Sequence, residues 1–266
     1  MSLVISKVFT YDTDAGNYIQ AVEAADTVAL EPAVRQAINN FVVGCKQDGI
    51  WSAIKASCIL AGARTLSGAL MPLVGTAPTN VGPFVAGDYD RKTGLVGDGS
   101  TKYLNSNRAG NAETQNNVHR GLYLSSSGGS GALTGTSRGN GGANAGWDAI
   151  SGTGGAWFIA SRSFLINDLT TISSPTNPGF AGTSRSGSAS YSYRLSGAVG
   201  SITYTSSGFG ANQANSVIVF GNLSNGTIAN FSNARLAFYS IGDSLDLALL
   251  DARVTALINA FGAAIP

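Results

Sequence analysis

The side chains of this chain best suited to contacting a ligand lie together in a glycine-rich stretch. Trp147 and Asp148 are adjacent, and Arg138 precedes them. The flat face of an indole ring packs on the C–H face of a sugar, while charged neighbours bind the sugar hydroxyl groups. We therefore take Trp147, Asp148 and Arg138 as a candidate glycan-binding site. The alternative is that Trp147 fills the core or a contact between subunits, because large aromatic side chains more often serve packing.

This candidate site lies within residues 125–155. The stretch is rich in Gly, Ser and Asn, with Leu133 and Ile150 interleaved. We predict long loops and short edge strands here. We expect any receptor contact to lie in these loops, because loops on a rigid scaffold vary at little cost to the core.

The other chemistry-bearing residues do not match a metal or catalytic centre. Asp88–Gly94 begins like a calcium loop, but its twelfth position is Gly99, where that loop requires a Glu. His119 could act as a catalytic base only beside a Ser or Cys nucleophile that the fold places next to it, and we predict instead a residue at a strand edge. Cys45 and Cys58 lack the further Cys or His of a zinc site, so we predict two buried thiols and leave a disulfide open. The sequence predicts no metal and no cofactor.

Composition narrows the classes of partner. Charged residues make up 12% of the chain, about half the usual ~25%, and the net charge is +1. Lys and Arg form no basic stripe, which argues against nucleic acid as a partner. No window approaches the ~20 apolar residues of a membrane span, so we expect no membrane insertion. Met1–Lys7 lacks the pattern of a secretory leader, so we expect synthesis in the cytoplasm.

Helical patterns stand at the two ends of the chain. Asp12–Asp14 can cap a first helix, and a second begins at Glu31–Pro32 with Pro at its first position. Apolar residues from Ile50 to Cys58 predict a short third helix. Near the C-terminus, a cap at Gly242–Ser244 introduces a helix with one apolar face, which Gly262 ends.

From about residue 72 the pattern changes to short strands, separated by Gly and Pro every 8–12 residues or so. Val217–Phe220 is apolar throughout and should be a central strand. The predicted strands are Leu95–Val96, Lys102–Leu104, His119–Leu124, Ala156–Ala160, Tyr191–Leu195, Ser201–Thr205, Val217–Gly221, Thr227–Phe231 and Arg235–Ile241. This spacing is typical of a sandwich or barrel. We predict a helical assembly region over residues 1–71 and a β domain over residues 72–266.

Four segments, Asp48–Ser52, Gly97–Leu104, Gly182–Tyr193 and Asn233–Leu245, stand out by their motifs and order. Together they resemble proteins of phage virions that carry a concanavalin A-like, laminin-G-like domain. Asp48–Ser52 is similar to a "DGLWSK"-like segment that precedes this domain in tail and virion proteins. Gly97–Leu104 resembles its early "FNGTNGY" strand pair, Gly182–Tyr193 its middle hairpin, and Asn233–Leu245 its closing strand, turn and helix. The resemblance spans residues 11–261. It implies a concanavalin A-like β-sandwich, a jelly roll, and a place in the virion, but it brings no defined active site.

Glycosidases related to this fold use a strand with Glu-x-Asp-x-x-Glu, whose alternation puts three carboxylates on one face. The glutamates of this chain, Glu23, Glu31 and Glu113, lie in no such pattern. We therefore expect no enzymatic activity.

Two functions follow from the resemblance. The first is a tail fibre or tail-associated adhesion protein that binds a host-surface glycan or receptor. The second is a capsid decoration or head-fibre protein that contacts only other virion proteins. The low charge and an apolar helical N-terminus predict a homo-oligomer, which we take as a trimer.

Overall fold

The computed structural model describes residues 10–128, 131–137, 147–153, 156–163, 170–173, 178–203, 214–224 and 227–266. The chain is mainly β. Two sheets pack face to face as a sandwich, and helices from both ends of the chain cover the outer face of one sheet. The predicted fold class, a β-sandwich with N-terminal helices and a C-terminal helix, is confirmed.

The described helices are α1 (Thr13–Asp26), α2 (Pro32–Gln47), α3 (Leu66–Ala69) and α4 (Leu247–Ala264). The described strands are β1 (Ile54–Ile59), β2 (Pro72–Val74), β3 (Thr79–Val81), β4 (Tyr89–Asp90), β5 (Gly94–Val96), β6 (Tyr103–Ala109), β7 (Val118–Ser126), β8 (Ala132–Ser137), β9 (Trp147–Thr153), β10 (Ala156–Ser163), β11 (Thr170–Ser173), β12 (Gly179–Arg185), β13 (Ser190–Leu195), β14 (Ala198–Thr203), β15 (Ser216–Val219), β16 (Asn222–Ser224), β17 (Thr227–Ala229) and β18 (Arg235–Gly242).

Sheet A follows the order β14-β13-β12-β7-β18-β1-β2, with β5 beside β18 and β4 beside β5. Sheet B follows the order β11-β10-β9-β8-β15-β6-β3, with β16 beside β8 and β17 beside β16. Among the described residues, the strand pairs are antiparallel apart from the parallel contact between β8 and β16. The central position predicted for Val217–Phe220 is confirmed, because β15 lies between β8 and β6.

Two apolar cores hold these layers together. Leu122 and Leu236 of sheet A meet Ile150 and Trp157 of sheet B between the sheets. The second core lies between the helices and the outer face of sheet A, where the rings of Phe41 and Phe238 meet edge to face at a centroid distance of 5.7 Å. Sheet A is therefore buried on both faces along much of its length.

The prediction of a short third helix from Ile50 to Cys58 is wrong. Residues Trp51–Ala53 form one 3-10 turn, and Ile54–Ile59 is strand β1, which pairs with β18. An apolar run of this length fits a buried strand as well as a helix, and only its partner more than 150 residues away decides. Sheet A therefore includes residues on both sides of the boundary predicted between residues 71 and 72.

The strands β8 and β9 occupy the stretch predicted to be loops and edge strands. Both lie inside sheet B and pair with each other, between β10 and β15. Gly135 allows this packing, because a Cβ there would come within 2.9 Å of Asn222 and 3.0 Å of Ala149. Small residues on both strands hide the alternation that would mark them as strands.

The C-terminal helix starts and ends later than predicted. Strand β18 continues to Gly242, and Asp246 is the N-cap of α4, accepting a hydrogen bond from the Ala248 amide at 2.7 Å. The helix continues past Gly262 to Ala264, because Phe261 and Ile265 are buried in the core. Contrary to the expectation that no window approaches a membrane span, α4 has that length and apolar composition among the described residues. In this structure it packs on sheet A.

Candidate ligand-binding groove

A groove of about 420 Å³ lies on the outer side of sheet A, between β12, β13 and β14 and the turn that precedes α4. Sites for small molecules commonly enclose about 300–1,000 Å³, so it can hold a ligand of one or two sugar rings. Polar and apolar groups both line it. They include Ser184, Ser192, Arg194, Val199, Leu245 and Asp246.

The alternation of β13 places two polar side chains in this groove. Tyr191 and Leu195 are buried in the core between the sheets, and Ser192 and Arg194 therefore point to the opposite face. Ser192 lies directly across from Ser184 of β12 in the antiparallel register. The floor of the groove is thus a row of hydroxyl groups beside a guanidinium group.

The opposite wall is the turn Asp243–Asp246, which is fastened to the sheet. The hydroxyl of Ser184 donates to the carbonyl of Leu245 at 2.8 Å and accepts from the Leu245 amide at 3.1 Å. Asn117 holds the same turn, since its amide group donates to Asp243 at 3.0 Å and accepts from the Ser244 amide at 2.9 Å. The wall is therefore fixed before any ligand arrives.

His119 supports this wall from inside the sheet. Its Nδ1 lies 2.6 Å from the carbonyl of Asp243 and its Nε2 lies 2.7 Å from the hydroxyl of Ser240. Burial lowers the pKa of His119 to about 4, so the ring is neutral at pH 7. The neutral ring can donate from Nδ1 and accept from Ser240. The predicted strand-edge position is wrong, because β7 pairs on both sides, with β12 and β18.

A cluster of buried charges lies between the sheets at the same end of the sandwich. Nη2 of Arg120 donates to Asp148 at 2.7 Å, and both side chains are almost completely buried. Burial lowers the pKa of Arg162 and lowers that of Arg185 to about 10, because a low-dielectric interior disfavours the charged form. Breaking such a pair would leave an uncompensated charge in the core.

Arg162 connects this cluster to the groove wall. Its backbone adopts φ +50° where the register of β10 shifts, a bulge that redirects the side chain. The guanidinium donates to the carbonyls of Gly110 and Glu113 at 2.6 and 2.7 Å. These bonds hold the segment that ends in Asn117, which in turn holds the groove wall.

The groove carries two charged side chains of opposite sign. Nε and Nη2 of Arg194 each lie 3.0 Å from Asp251 on α4, so the charge of this guanidinium is compensated. Asp246 is exposed and uses Oδ1 to cap α4.

Within the described ranges, no three His, Cys, Asp or Glu side chains gather as metal ligands. Cys45 and Cys58 are buried, as predicted, and both thiols are free.

No family model matches the chain, and no curated protein matches it. Among solved structures, the CBM40 of the Ruminococcus gnavus IT-sialidase is similar at 14% identity and a TM-score of 0.39, covering 51% of this chain and 80% of that one. The NanB sialidase of Streptococcus pneumoniae is similar at 13% identity and a TM-score of 0.40, covering 52% of this chain and 24% of that one.

A leech intramolecular trans-sialidase is similar at 14% identity and a TM-score of 0.38, over 59% of this chain and 26% of that one. The chain thus spans about a quarter of the two longer sialidases. The function proposed for this chain therefore depends on the groove itself.

The structure does not assemble the three predicted site residues on one surface. Asp148 is buried between the sheets and bound to Arg120, out of reach of a ligand on the outer surface. The backbone of Trp147 pairs with Ser137 and Ser163, and Arg138 lies outside the described residues. A ligand role for Trp147 stays a prediction. The groove residues were missed, although the alternation over 190–195 places Ser192 and Arg194 on one face.

Proposed function

We propose that this protein is a non-enzymatic adhesion protein of a phage virion, and that it binds a host-surface glycan in the groove between β13 and α4. The observation that carries the proposal is the groove, preformed and lined by both hydroxyl and apolar groups. The sequence resemblance of residues 11–261 to phage virion proteins supports the virion setting.

The chemistry of the groove suits a sugar, which presents hydroxyl groups along its edge and C–H groups on its faces. Ser186 and Ser192 are exposed in the groove. The Ser192 hydroxyl donates to the Ser184 carbonyl at 3.2 Å, and its oxygen can still accept a hydrogen bond from a ligand hydroxyl. Val199, which is 60% exposed, offers apolar contact at the rim. Because the hydrogen bonds of Ser184 and Asn117 fix the wall beforehand, binding costs little ordering of the protein.

The carboxylate that lines the groove already has a structural role. Asp246 caps α4, accepting hydrogen bonds from the amides of Ala248 and Leu249. Glycoside hydrolysis uses two carboxyl groups that flank the scissile bond. We therefore assign the groove to binding and not to hydrolysis.

A second candidate, capsid decoration, is favoured by strand β14. This strand carries no charged residue and no proline, and within the described residues it pairs only with β13. An edge without charge or proline is suited to pairing with another chain. In a decoration protein this edge, and not the groove, would make the functional contact.

Filling the groove tests the first candidate. Ser192→Trp places an indole ring on the groove floor at an exposed position, and Ser190→Trp is the matched control on the same face of β13. We expect Ser192→Trp to weaken adsorption to host cells, or binding on a glycan array, by roughly tenfold or more, equivalent to ~1.4 kcal/mol. Ser190→Trp should bind like the unchanged protein.

Thermal unfolding midpoints of both variants should match that of the unchanged protein. If Ser192→Trp binds glycans normally, the groove is not the binding site. Trp147→Ala, measured beside it, then tells whether the stretch that contains β8 and β9 binds instead. A protein that binds no glycan but coats capsids in fixed stoichiometry supports decoration.

A further inference from the structure

We propose that the groove selects neutral sugars over sugars that carry a carboxylate, and that Asp246 sets this preference. The inference rests on the proposed glycan binding and names the class of glycan.

The charges of the groove favour a neutral sugar over one that carries a carboxylate. Arg194 is the cationic side chain among its lining residues, and both Nε and Nη2 of that guanidinium are directed at Asp251. Asp246 is exposed beside it, without a cationic partner among the described residues. A ligand therefore meets a compensated cation and an uncompensated anion.

The positive end of α4 does not reverse this balance. A helix N-terminus attracts anions through its free amide groups. Here Oδ1 of Asp246 already accepts from the amides of Ala248 and Leu249, so the protein's own carboxylate occupies that position. A ligand carboxylate would have to displace it or lie next to it.

The second oxygen of the same carboxylate is suited to a sugar hydroxyl. Within the described part of the chain, Oδ2 of Asp246 accepts no hydrogen bond. An ionised carboxylate accepts and cannot donate, so it binds a hydroxyl group and repels another carboxylate. For like charges a few ångströms apart at an exposed site, the repulsion corresponds to roughly three- to tenfold in affinity.

The substitution Asp246→Asn isolates the charge. Asn is about as good an N-cap as Asp, so the helix keeps its cap while the groove loses one negative charge. Asp12→Asn is the matched control, because Asp12 caps α1 by the same kind of bond and does not line the groove.

The probe is an array of oligosaccharides in matched pairs, each with a neutral hexose in one member and the corresponding uronic acid in the other. We expect the unchanged protein to bind the neutral member of a pair at least about threefold more tightly. Asp246→Asn should reduce that ratio to near one, whereas Asp12→Asn should leave it unchanged. Raising the salt concentration should also reduce the ratio, because screening weakens the repulsion.

Two results overturn the inference while leaving glycan binding intact. One is preferential binding of the uronic acid member by the unchanged protein. The other is an Asp246→Asn variant that binds but keeps the original ratio. If no member of any pair binds, the proposed glycan binding is itself wrong, and the inference is rejected with it.

Discussion

The buried His119 should make this fold less stable at acidic pH. Its ring is buried and neutral, because burial lowers its folded-state pKa to about 4, below the ordinary histidine pKa of 6.5. The unfolded chain therefore takes up a proton that the folded chain does not as the pH falls from 6.5 towards 4. The stabilisation is complete above pH 6.5 and is lost progressively below it, by about 1.4 kcal/mol per pH unit.

We predict that the free energy of unfolding falls by about 2 to 3 kcal/mol between pH 6.5 and pH 4.5 through this group. Urea unfolding at a series of pH values measures it. His119→Gln, which has no group that titrates in this range, should lack most of the slope. A variant with the same slope as the unchanged protein would assign the pH dependence to the carboxylates instead.

At the scale of residues, side-chain type alone predicted chemistry but not location. Asp148 was a reasonable sugar-binding candidate from its neighbours, yet it faces the core and pairs with Arg120. The inward direction of the Asp148 side chain follows from the pairing of β9 with β8 and β10. No local pattern in residues 125–155 reveals this pairing. Ser184 and Leu245 meet only because β12 and the turn before α4 are brought together by the fold.

At the scale of elements, α4 is the clearest case for a structural test. Leu250 is completely buried and lies over Gly121, where an added Cβ would be 3.1 Å from the leucine side chain. We predict that Leu250→Ala lowers the free energy of unfolding by roughly 2–5 kcal/mol, because it leaves a cavity between α4 and sheet A.

Chemical denaturation measures this change, and Asn259→Ala on the exposed side of α4 is the control. The control should stay within about 0.5 kcal/mol of the unchanged protein. An unfolding midpoint that is the same for Leu250→Ala and Asn259→Ala would show that the helix contributes little to stability.

The elements that could be predicted have local signals, and the others do not. Asp12 caps α1 and Pro32 begins α2, as predicted from the sequence. By contrast, four successive buried residues in the middle of β12, Ala181–Ser184, all have small side chains. The alternation that marks a strand depends on a contrast between apolar and polar side chains, and there it is weak.

At the scale of the whole molecule, the apolar N-terminal helices no longer support the predicted trimer. The apolar faces of α1 and α2 are buried against sheet A, so they no longer require a partner. The low fraction of charged residues, 12%, and the uncharged edge strand β14 still favour association with other chains. We predict that light scattering at micromolar concentration gives three times the mass of the chain.

Measurements at low and high salt provide the control, since an interface of neutral strands should be insensitive to screening. The mass of a single chain under both conditions would contradict the prediction.

The sandwich itself could be predicted because many short strands with frequent turns have few other ways to bury their apolar faces. The extent of sheet A could not be, since β1 belongs to it only through its pairing with β18. The predicted division between residues 71 and 72 followed the change in local pattern, whereas the strand pairing spans it.

The pairing of β1 with β18 bears on how the protein is made. Cys58 and Tyr239, which touch across these strands, are separated by 181 positions in the chain. At roughly 5–20 residues per second, a ribosome needs on the order of 10 to 40 s to synthesise the intervening residues. Until then β1 lacks its partner strand β18, so sheet A cannot close during this interval. A polypeptide released early would expose an apolar strand edge and be prone to aggregate.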